Sequence, residues 1–189
     1  MKITDSEIEL ANRLGFRVPI LQILKNETQC PIYQGIIYNT ENEPIGFKNS
    51  VVSKSNKNST EALKCIRKWI LGSNYIGFVS DIKKKEISII KSKNQFDIIY
   101  FQETNGGNFE LTTDEIVQKL SIWNKQFSIN ILGANYSWIL LEFKNNIHDF
   151  SAFYEEVLEF CPDLNQTYAT EQELMSQVKN QKQLLFWWD

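Results

Sequence analysis

The chain has 189 residues, and its 42% hydrophobic content excludes a disordered polymer, while eight glycines and four prolines exclude collagen-like and proline-rich classes. Its formal net charge of −3 predicts no nucleic-acid partner, because phosphate contacts usually require a basic face. It contains neither the about 20 consecutive apolar residues of a membrane span nor the apolar segment of a signal peptide at its N-terminus, so we expect a cytoplasmic protein with no membrane contact.

Capping-box patterns predict the start of four helices, because a Ser, Thr or Asn followed three residues later by Glu satisfies free backbone amides. These patterns begin at Thr4, Asn58, Thr112 and Thr170. Gly15 is expected to end the first helix, since glycine readily takes the left-handed conformation that closes a helix. A fifth helix is predicted from Phe150 to Cys161, where apolar residues recur at spacings of three and four, and Pro162 ends it.

Runs rich in β-branched and aromatic residues lie between these helices and predict strands. The predicted strands cover 20–24, 34–38, 75–80, 86–91, 97–103, 129–134, 138–143 and 184–188. Short polar turns join 75–80 to 86–91 and 129–134 to 138–143, and short turns connect antiparallel neighbours. We therefore predict an α+β fold, a mixed, largely antiparallel sheet with helices packed on it.

The segment 53–59 contains no apolar residue and predicts an exposed linker that divides the chain. On this prediction, residues 1–58 form a small N-terminal α/β segment and residues 59–189 form the main α+β domain. The alternative is that strands from 20–38 join the main sheet and make one inseparable domain. Whether 1–58 folds separately stays open at this point, as does the oligomeric state.

The densest basic run consists of Lys83, Lys84 and Lys85, with Lys91 and Lys93 shortly after it. An acidic residue flanks the three consecutive lysines on each side. This pattern favours a solvated hairpin turn over a face that binds nucleic acid.

Three widely spaced cysteines, Cys30, Cys65 and Cys161, predict a reducing compartment. Cys65 and Cys161 are expected to be buried on apolar helix faces. Neither the cysteines nor the single histidine, His148, has the spacing of a metal site, so we expect no metal and no cofactor. His148 lies in a polar segment without a nucleophile motif, which favours a surface or N-cap residue, and no catalytic residue is predicted.

The loop 104–108, Thr-Asn-Gly-Gly-Asn, follows a predicted strand and leads into the third helix. Gly106 and Gly107 free the backbone to present N–H groups, and a helix start favours anions, so the loop is compatible with phosphate binding. It lacks the GxGxxG and Walker spacings, which favours a plain turn with Asn105 and Asn108 in left-handed conformations.

The last six residues, Leu-Leu-Phe-Trp-Trp-Asp, predict a strand held within the sheet. Alternation would bury one of Trp187 and Trp188 and turn the other to the opposite face. An exposed tryptophan beside Asp189 is compatible with a platform for a ligand or partner, whereas core packing under helices on both faces is favoured. The candidate binding surface comprises Asn105, Gly106, Gly107, Asn108, Trp138, Asp163, Trp187, Trp188 and Asp189.

The motif Phe160-Cys161-Pro162-Asp163, followed by a helix and the terminal Leu-Phe-Trp-Trp-Asp, resembles the bacterial family catalogued as domain of unknown function 4253. Smaller matching pieces are 95–98, 104–106, Leu120 with Trp123, and Gly133-Ala134 before Trp138. The resemblance covers about 60–189, and Ser137 stands where the family has an acidic residue before the tryptophan. The family is uncharacterised, so the resemblance implies no catalytic residue.

The chain contains no nucleophile motif, metal-ligand spacing or phosphate loop, which favours a non-enzymatic cytosolic protein-binding module. Small acidic bacterial proteins of the resembled kind are often immunity proteins, which cover the active site of a toxin, so a toxin-like protein is the expected partner. The alternative hypothesis is a small-molecule-binding or hydrolytic enzyme that uses tryptophans with Asp81, Asp97, Asp163 and Asp189. A pocket enclosing several of these carboxylates would favour the enzyme, and an exposed apolar patch would favour the binding module.

Overall fold

The computed structural model describes residues 1–39, 41 and 43–188. The chain forms two compact units, Met1–Asn94 and Gln95–Asp189. The predicted boundary between residues 58 and 59 falls inside the first unit. Helices and antiparallel strands occur in both units, and the predicted α+β fold with largely antiparallel strands is confirmed. Within the described residues, none of the helices has both the length and the apolarity needed to cross a bilayer.

The first unit packs three helices with four strands. In chain order they are α1 Asp5–Leu14, α2 Val18–Thr28, β1 Ile32–Tyr38, β2 Pro44–Lys54, α3 Ser59–Ile70, β3 Ile76–Asp81 and β4 Glu86–Ile90. β2 lies between β1 and β4, β4 lies between β2 and β3, and all three pairings are antiparallel. The lysine run forms the turn between β3 and β4, as predicted.

Local hydrogen bonds set the predicted helix boundaries. The Thr4 hydroxyl accepts a hydrogen bond from the Glu7 amide while the Glu7 carboxylate accepts one from the Thr4 amide, which completes the capping box of α1. Gly15 ends α1 with a φ of +67°, a conformation that costs a glycine little. The predicted starts at Thr112 and Thr170 are confirmed with the same reciprocal capping box. The predicted start at Asn58 is confirmed by its side chain alone, which accepts hydrogen bonds from the Thr60 and Glu61 amides.

Two predictions for the first unit are wrong. The segment 20–24 is helical and lies in α2, because Ile20, Leu21 and Leu24 are buried at helical spacing and a proline occupies the first turn, where its missing N–H costs little. The prediction that all of 53–59 is an exposed linker is wrong, since Ser53 lies in β2 and is fully buried, although Asn56, Lys57 and Asn58 are exposed between β2 and α3. A hydroxyl can be buried when it is hydrogen-bonded, and Ser53 Oγ lies 2.8 Å from Thr28 Oγ1.

The second unit contains the remaining elements. They are α4 Asp97–Gln102, α5 Thr113–Phe127, β5 Ile129–Asn135, β6 Trp138–Phe143, α6 Phe150–Phe160, α7 Glu171–Gln181 and β7 Gln183–Trp187, with 3₁₀ turns at Gly107–Phe109 and Pro162–Gln166. β6 pairs with β5 on one side and β7 on the other, antiparallel in both cases. The segment 97–103, predicted as a strand, is helix α4, since a short apolar run does not distinguish the two by its periodicity.

The core of the second unit centres on Trp123 of α5, which is fully buried. Its ring centroid lies 5.2 to 5.7 Å from those of Phe153, Phe160 and Phe186. Aromatic rings at these tilted and edge-on separations contribute beyond the area that they bury. The packing therefore joins α5, α6 and β7, and it fixes which face of β7 points inward.

Candidate functional site

The 104–108 loop lies against the end of the β5–β6 turn, and its amides are used by the chain itself. The Asn105 amide donates to Tyr136 O at 3.0 Å, and the Gly106 amide donates to Leu111 O at 2.8 Å. The Gly107 amide donates to Asn105 Oδ1 at 3.1 Å. These bonds direct the loop amides inward to protein acceptors, as in a plain turn.

The predicted left-handed conformations of Asn105 and Asn108 are wrong. The non-glycine residues with positive φ around the loop are Glu103 and Glu110, each at +54°. Each closes a short helical turn, Glu103 after α4 and Glu110 after the 3₁₀ turn. The C-caps of these turns therefore impose the left-handed conformation, and the asparagines do not.

The structure brings the loop and the C-terminal tryptophan together. A Cβ atom built on Gly106 would lie 3.1 Å from Trp188 Cδ1 and 2.9 Å from Leu111 Cβ, so the glycine permits a close approach. The Trp188 amide donates to Ser137 O at 2.9 Å, and its indole Nε1 donates to Phe160 O at 3.3 Å. Trp188 is only 2% exposed, so it is a core residue and not a platform for a partner.

Trp187 and Trp138 form the accessible aromatic pair of the predicted surface. They face each other across β6 and β7, and residues in register on antiparallel strands share one face of the sheet. Leu140 and Leu185 are the neighbouring pair in the same register. All four side chains are partly exposed, whereas the alternate residues of both strands are buried. The prediction that alternation separates Trp187 from Trp188 is confirmed.

Asp163 is almost buried in the 3₁₀ turn after α6, beside Cys161. Burial raises the pKa of the Cys161 thiol to about 12, and the nearby negative charge of Asp163 acts in the same direction. Cys161 Sγ donates to Trp187 O at 3.0 Å, which attaches this turn to β7. Cys161 is buried as predicted.

The predicted burial of Cys65 is wrong, because α3 turns Leu63 and Ile66 inward and leaves Cys65 exposed. Asp189 lies outside the described residues.

The cavities that open on the described residues include two with polar walls. One, of about 600 Å³, lies in the first unit and is lined by Arg17, Ser73, Tyr75, Lys91 and Lys93 among others. The other, of about 420 Å³, lies in the second unit with the exposed His148 at its wall. Neither has an Asp or Glu among its lining residues. Among the residues that the structure describes, no group of three or more His, Cys, Asp and Glu side chains could hold a metal ion.

An exposed apolar ribbon in the first unit was missed because β2 was not predicted. Residues 44–50 of β2 extend beyond the part that pairs with β4, which is 51–54. Four side chains of this extension and of the facing end of β1 are exposed, and together we call them the apolar ribbon: Ile37, Tyr38, Ile45 and Phe47. The alternation of Ile45 and Phe47 with smaller or polar residues is a period-two signal that could have identified the strand.

A protein-family model described as "Domain of unknown function (DUF4253)" matches residues 86–189. The matched region begins at β4 and includes the whole second unit. The apolar ribbon and most residues of the larger cavity precede the matched region in the sequence. A search of curated proteins and a search of solved structures found no match.

Proposed function

Since this chain belongs to the DUF4253 family, whose description assigns no activity, we propose from its own surface that it is a non-enzymatic cytosolic protein-binding module. The observation that supports this proposal is the apolar ribbon. Ile45 is 64% exposed and Phe47 is 68% exposed, on strands that pair only with each other there among the described residues. Large exposed apolar side chains on one element mark interaction sites, and aromatic residues are enriched at the centre of interfaces.

The ribbon is suited to contact with a partner for a second reason. An isolated two-stranded ribbon is marginally stable in water, and a partner that covers the apolar side chains would stabilise it. Phe47 lies opposite Ile36 in the pairing of β1 with β2, so the aromatic ring has an aliphatic neighbour on its own face. We infer that Ile45 and Phe47 contribute most of the binding free energy.

The finer proposal is that the chain is an immunity-type protein and that its partner is a toxin. This step rests on analogy with small acidic bacterial proteins of similar organisation. The partner would be encoded beside this chain. The apolar ribbon would cover the region around the active site of the toxin and exclude its substrate.

The alternative, an enzyme that uses carboxylates and tryptophans, has less support. The two cavities described above have no carboxylate in their walls, and the indole of Trp188 is buried in the core. General acid–base chemistry needs carboxylates or histidines that reach a bound substrate. We therefore propose no catalytic residue, no cofactor and no nucleic-acid or membrane partner for this function.

The proposal is tested by co-expressing the chain with the product of the neighbouring gene. The measurements are the formation of a complex and the growth of the expressing cells. Ile45→Ser with Phe47→Ser should weaken the complex by about a hundredfold or more, because two central apolar contacts are lost. The matched control is Ile8→Ser with Ile122→Ser, two exposed isoleucines on helices, which should leave binding unchanged. Equal binding by both double variants would remove the ribbon from the interface and overturn the proposal.

A further inference from the structure

The larger cavity lies wholly within the first unit and gathers cations from distant parts of the sequence. Its wall is formed by the start of α2, the segment between α3 and β3, and the residues that follow β4. These elements bring together Arg17, Lys91 and Lys93. We call this space, of about 600 Å³, the basic cavity.

The described carboxylates do not compensate the positive charge of the basic cavity. Among the residues that the structure describes, no carboxylate forms an ion pair with Arg17, Lys91 or Lys93. Lys91 Nζ donates to Leu14 O at 2.8 Å and lies 5.5 Å from the ring centroid of Phe16, so uncharged groups hold the ammonium group in place. Cations held around one space raise the local concentration of anions.

Backbone dipoles add to this potential. Arg17 is the N-cap of α2, and its side chain does not cap the helix. The first turn of α2 has no acidic residue, so the partial positive charge of the helix start is unopposed there. Tyr75 Oη accepts a hydrogen bond from the Arg17 amide at 3.2 Å, which fixes the helix start against the cavity wall.

A polar group of the cavity wall has no hydrogen-bond partner in the part of the chain that the structure describes. The hydroxyl of Ser73 is buried and makes no hydrogen bond, although Ser73 lies beside the cations in the cavity wall. A buried hydroxyl without a partner costs free energy, and in native proteins a water or an ion often supplies the missing hydrogen bond. Gly72, with a φ of +76°, lies in the turn that precedes Ser73.

We propose that the basic cavity binds a terminal phosphate group. A phosphate carries up to two negative charges and three strong acceptor oxygens, which matches three cationic donors better than a single carboxylate does. Arg17 binds two of the oxygens through its planar guanidinium group, and Lys91 and Lys93 neutralise the remaining charge. The cavity is separate from the apolar ribbon, so phosphate binding does not depend on the proposed protein partner.

The test uses the full chain, and its two arms distinguish the two sources of a phosphate group. Calorimetric titration with inorganic pyrophosphate at low salt represents a soluble ligand that ends in a phosphate group. Sedimentation with phosphatidylcholine vesicles, with and without phosphatidic acid, represents a lipid headgroup. Both arms compare the wild type with Arg17→Gln/Lys93→Gln and with the control Lys83→Gln/Lys125→Gln, which changes the net charge equally at exposed positions outside the cavity.

We expect binding in at least one arm, weakened about tenfold or more in Arg17→Gln/Lys93→Gln and changed less than about twofold in the control. Pyrophosphate binding identifies a soluble ligand, and sedimentation that requires phosphatidic acid identifies a lipid. Absence of binding by the wild type in both arms overturns the proposal. So does binding that the two double variants weaken equally, because such binding would follow net charge alone.

Discussion

Lys25 Nζ donates a 2.6 Å hydrogen bond to Glu7 Oε2, and the two side chains are only 4% and 5% exposed. The same oxygen accepts the Thr4 amide at 2.8 Å, and Glu7 Oε1 accepts the Ile32 amide at 3.0 Å. One carboxylate therefore connects α1, α2 and the first residue of β1. A buried ion pair is tolerated when further hydrogen bonds satisfy its remaining lone pairs, and this pair meets that condition.

Replacing Glu7 by Gln should destabilise the first unit strongly. The amide keeps the size of the side chain but leaves the Lys25 charge buried without a counter-charge, which costs about 3–5 kcal/mol. Urea denaturation followed by circular dichroism measures the change. Glu9→Gln is the matched control, since Glu9 lies on the same helix and is exposed, and it should cost less than about 0.5 kcal/mol. Equal effects of the two substitutions would contradict the role assigned to the pair.

The same carboxylate predicts a loss of stability in acid. Burial acts to raise the pKa of Glu7, but the hydrogen bonds from Lys25, Thr4 and Ile32 outweigh it, so the pKa lies below its ordinary value of 4.5. A carboxyl with a lowered pKa in the folded state contributes stability above its ordinary pKa and loses it as the pH falls through the folded value. The free energy of unfolding should therefore decrease below about pH 4.5, and this part of the pH dependence should be absent in Glu7→Gln.

Gly106 and Gly107 should respond differently to alanine. The Cβ atom that Gly106→Ala adds would come within 2.9 Å of Leu111 Cβ and 3.1 Å of Trp188 Cδ1, so the loop or the indole must shift. Overpacking of this kind costs about 1–3 kcal/mol. The Cβ atom that Gly107→Ala adds would meet Asn105 Oδ1 at an ordinary 3.6 Å. Thermal unfolding of the two variants measures the contrast, and an unchanged midpoint in Gly106→Ala would mean that the loop does not press on Trp188.

The parts of the fold that were predictable are those determined by near neighbours. A capping box needs only residues three apart, which is why the starts at Thr4, Thr112 and Thr170 are confirmed. The segments 20–24 and 97–103 were assigned to the wrong element because a segment of five to seven residues with only four apolar side chains fits a buried strand and a buried helix equally well.

The candidate sites depend on contacts that the sequence pattern does not contain. The burial of Trp188 is fixed by carbonyls of Ser137 and Phe160, far away along the chain. The basic cavity joins Arg17, at the start of α2, to Lys91 and Lys93, which follow β4. Composition and local spacing cannot bring such residues together, because their proximity is decided by strand order and helix packing.

Cys65 and Cys161 should differ in reactivity. The thiolate is the nucleophile, and the raised pKa of Cys161, about 12, leaves almost none of it ionised near pH 8. Cys65 is exposed, so iodoacetamide should modify Cys65 well before Cys161 in the native chain. Peptide mass spectrometry over a time course measures the order, and the difference should vanish in urea. Native labelling of Cys161 as fast as Cys65 would show that the turn after α6 opens readily.

The two C-terminal tryptophans should make unequal contributions to stability. Trp188 packs edge-on against Phe160 with ring centroids 5.4 Å apart and is almost fully buried, so Trp188→Ala should cost about 3–5 kcal/mol. Trp187 faces the opposite side and is partly exposed, so Trp187→Ala should cost only about 1–2 kcal/mol. Its backbone carbonyl still accepts the Cys161 hydrogen bond in the variant. The free energy of unfolding is measured by urea denaturation followed by circular dichroism, because removing a tryptophan changes the fluorescence signal itself. The stability lost on truncation follows the apolar surface that the side chain buries. A larger loss for Trp187→Ala than for Trp188→Ala would therefore mean that the indole of Trp187 belongs to the core and that of Trp188 does not.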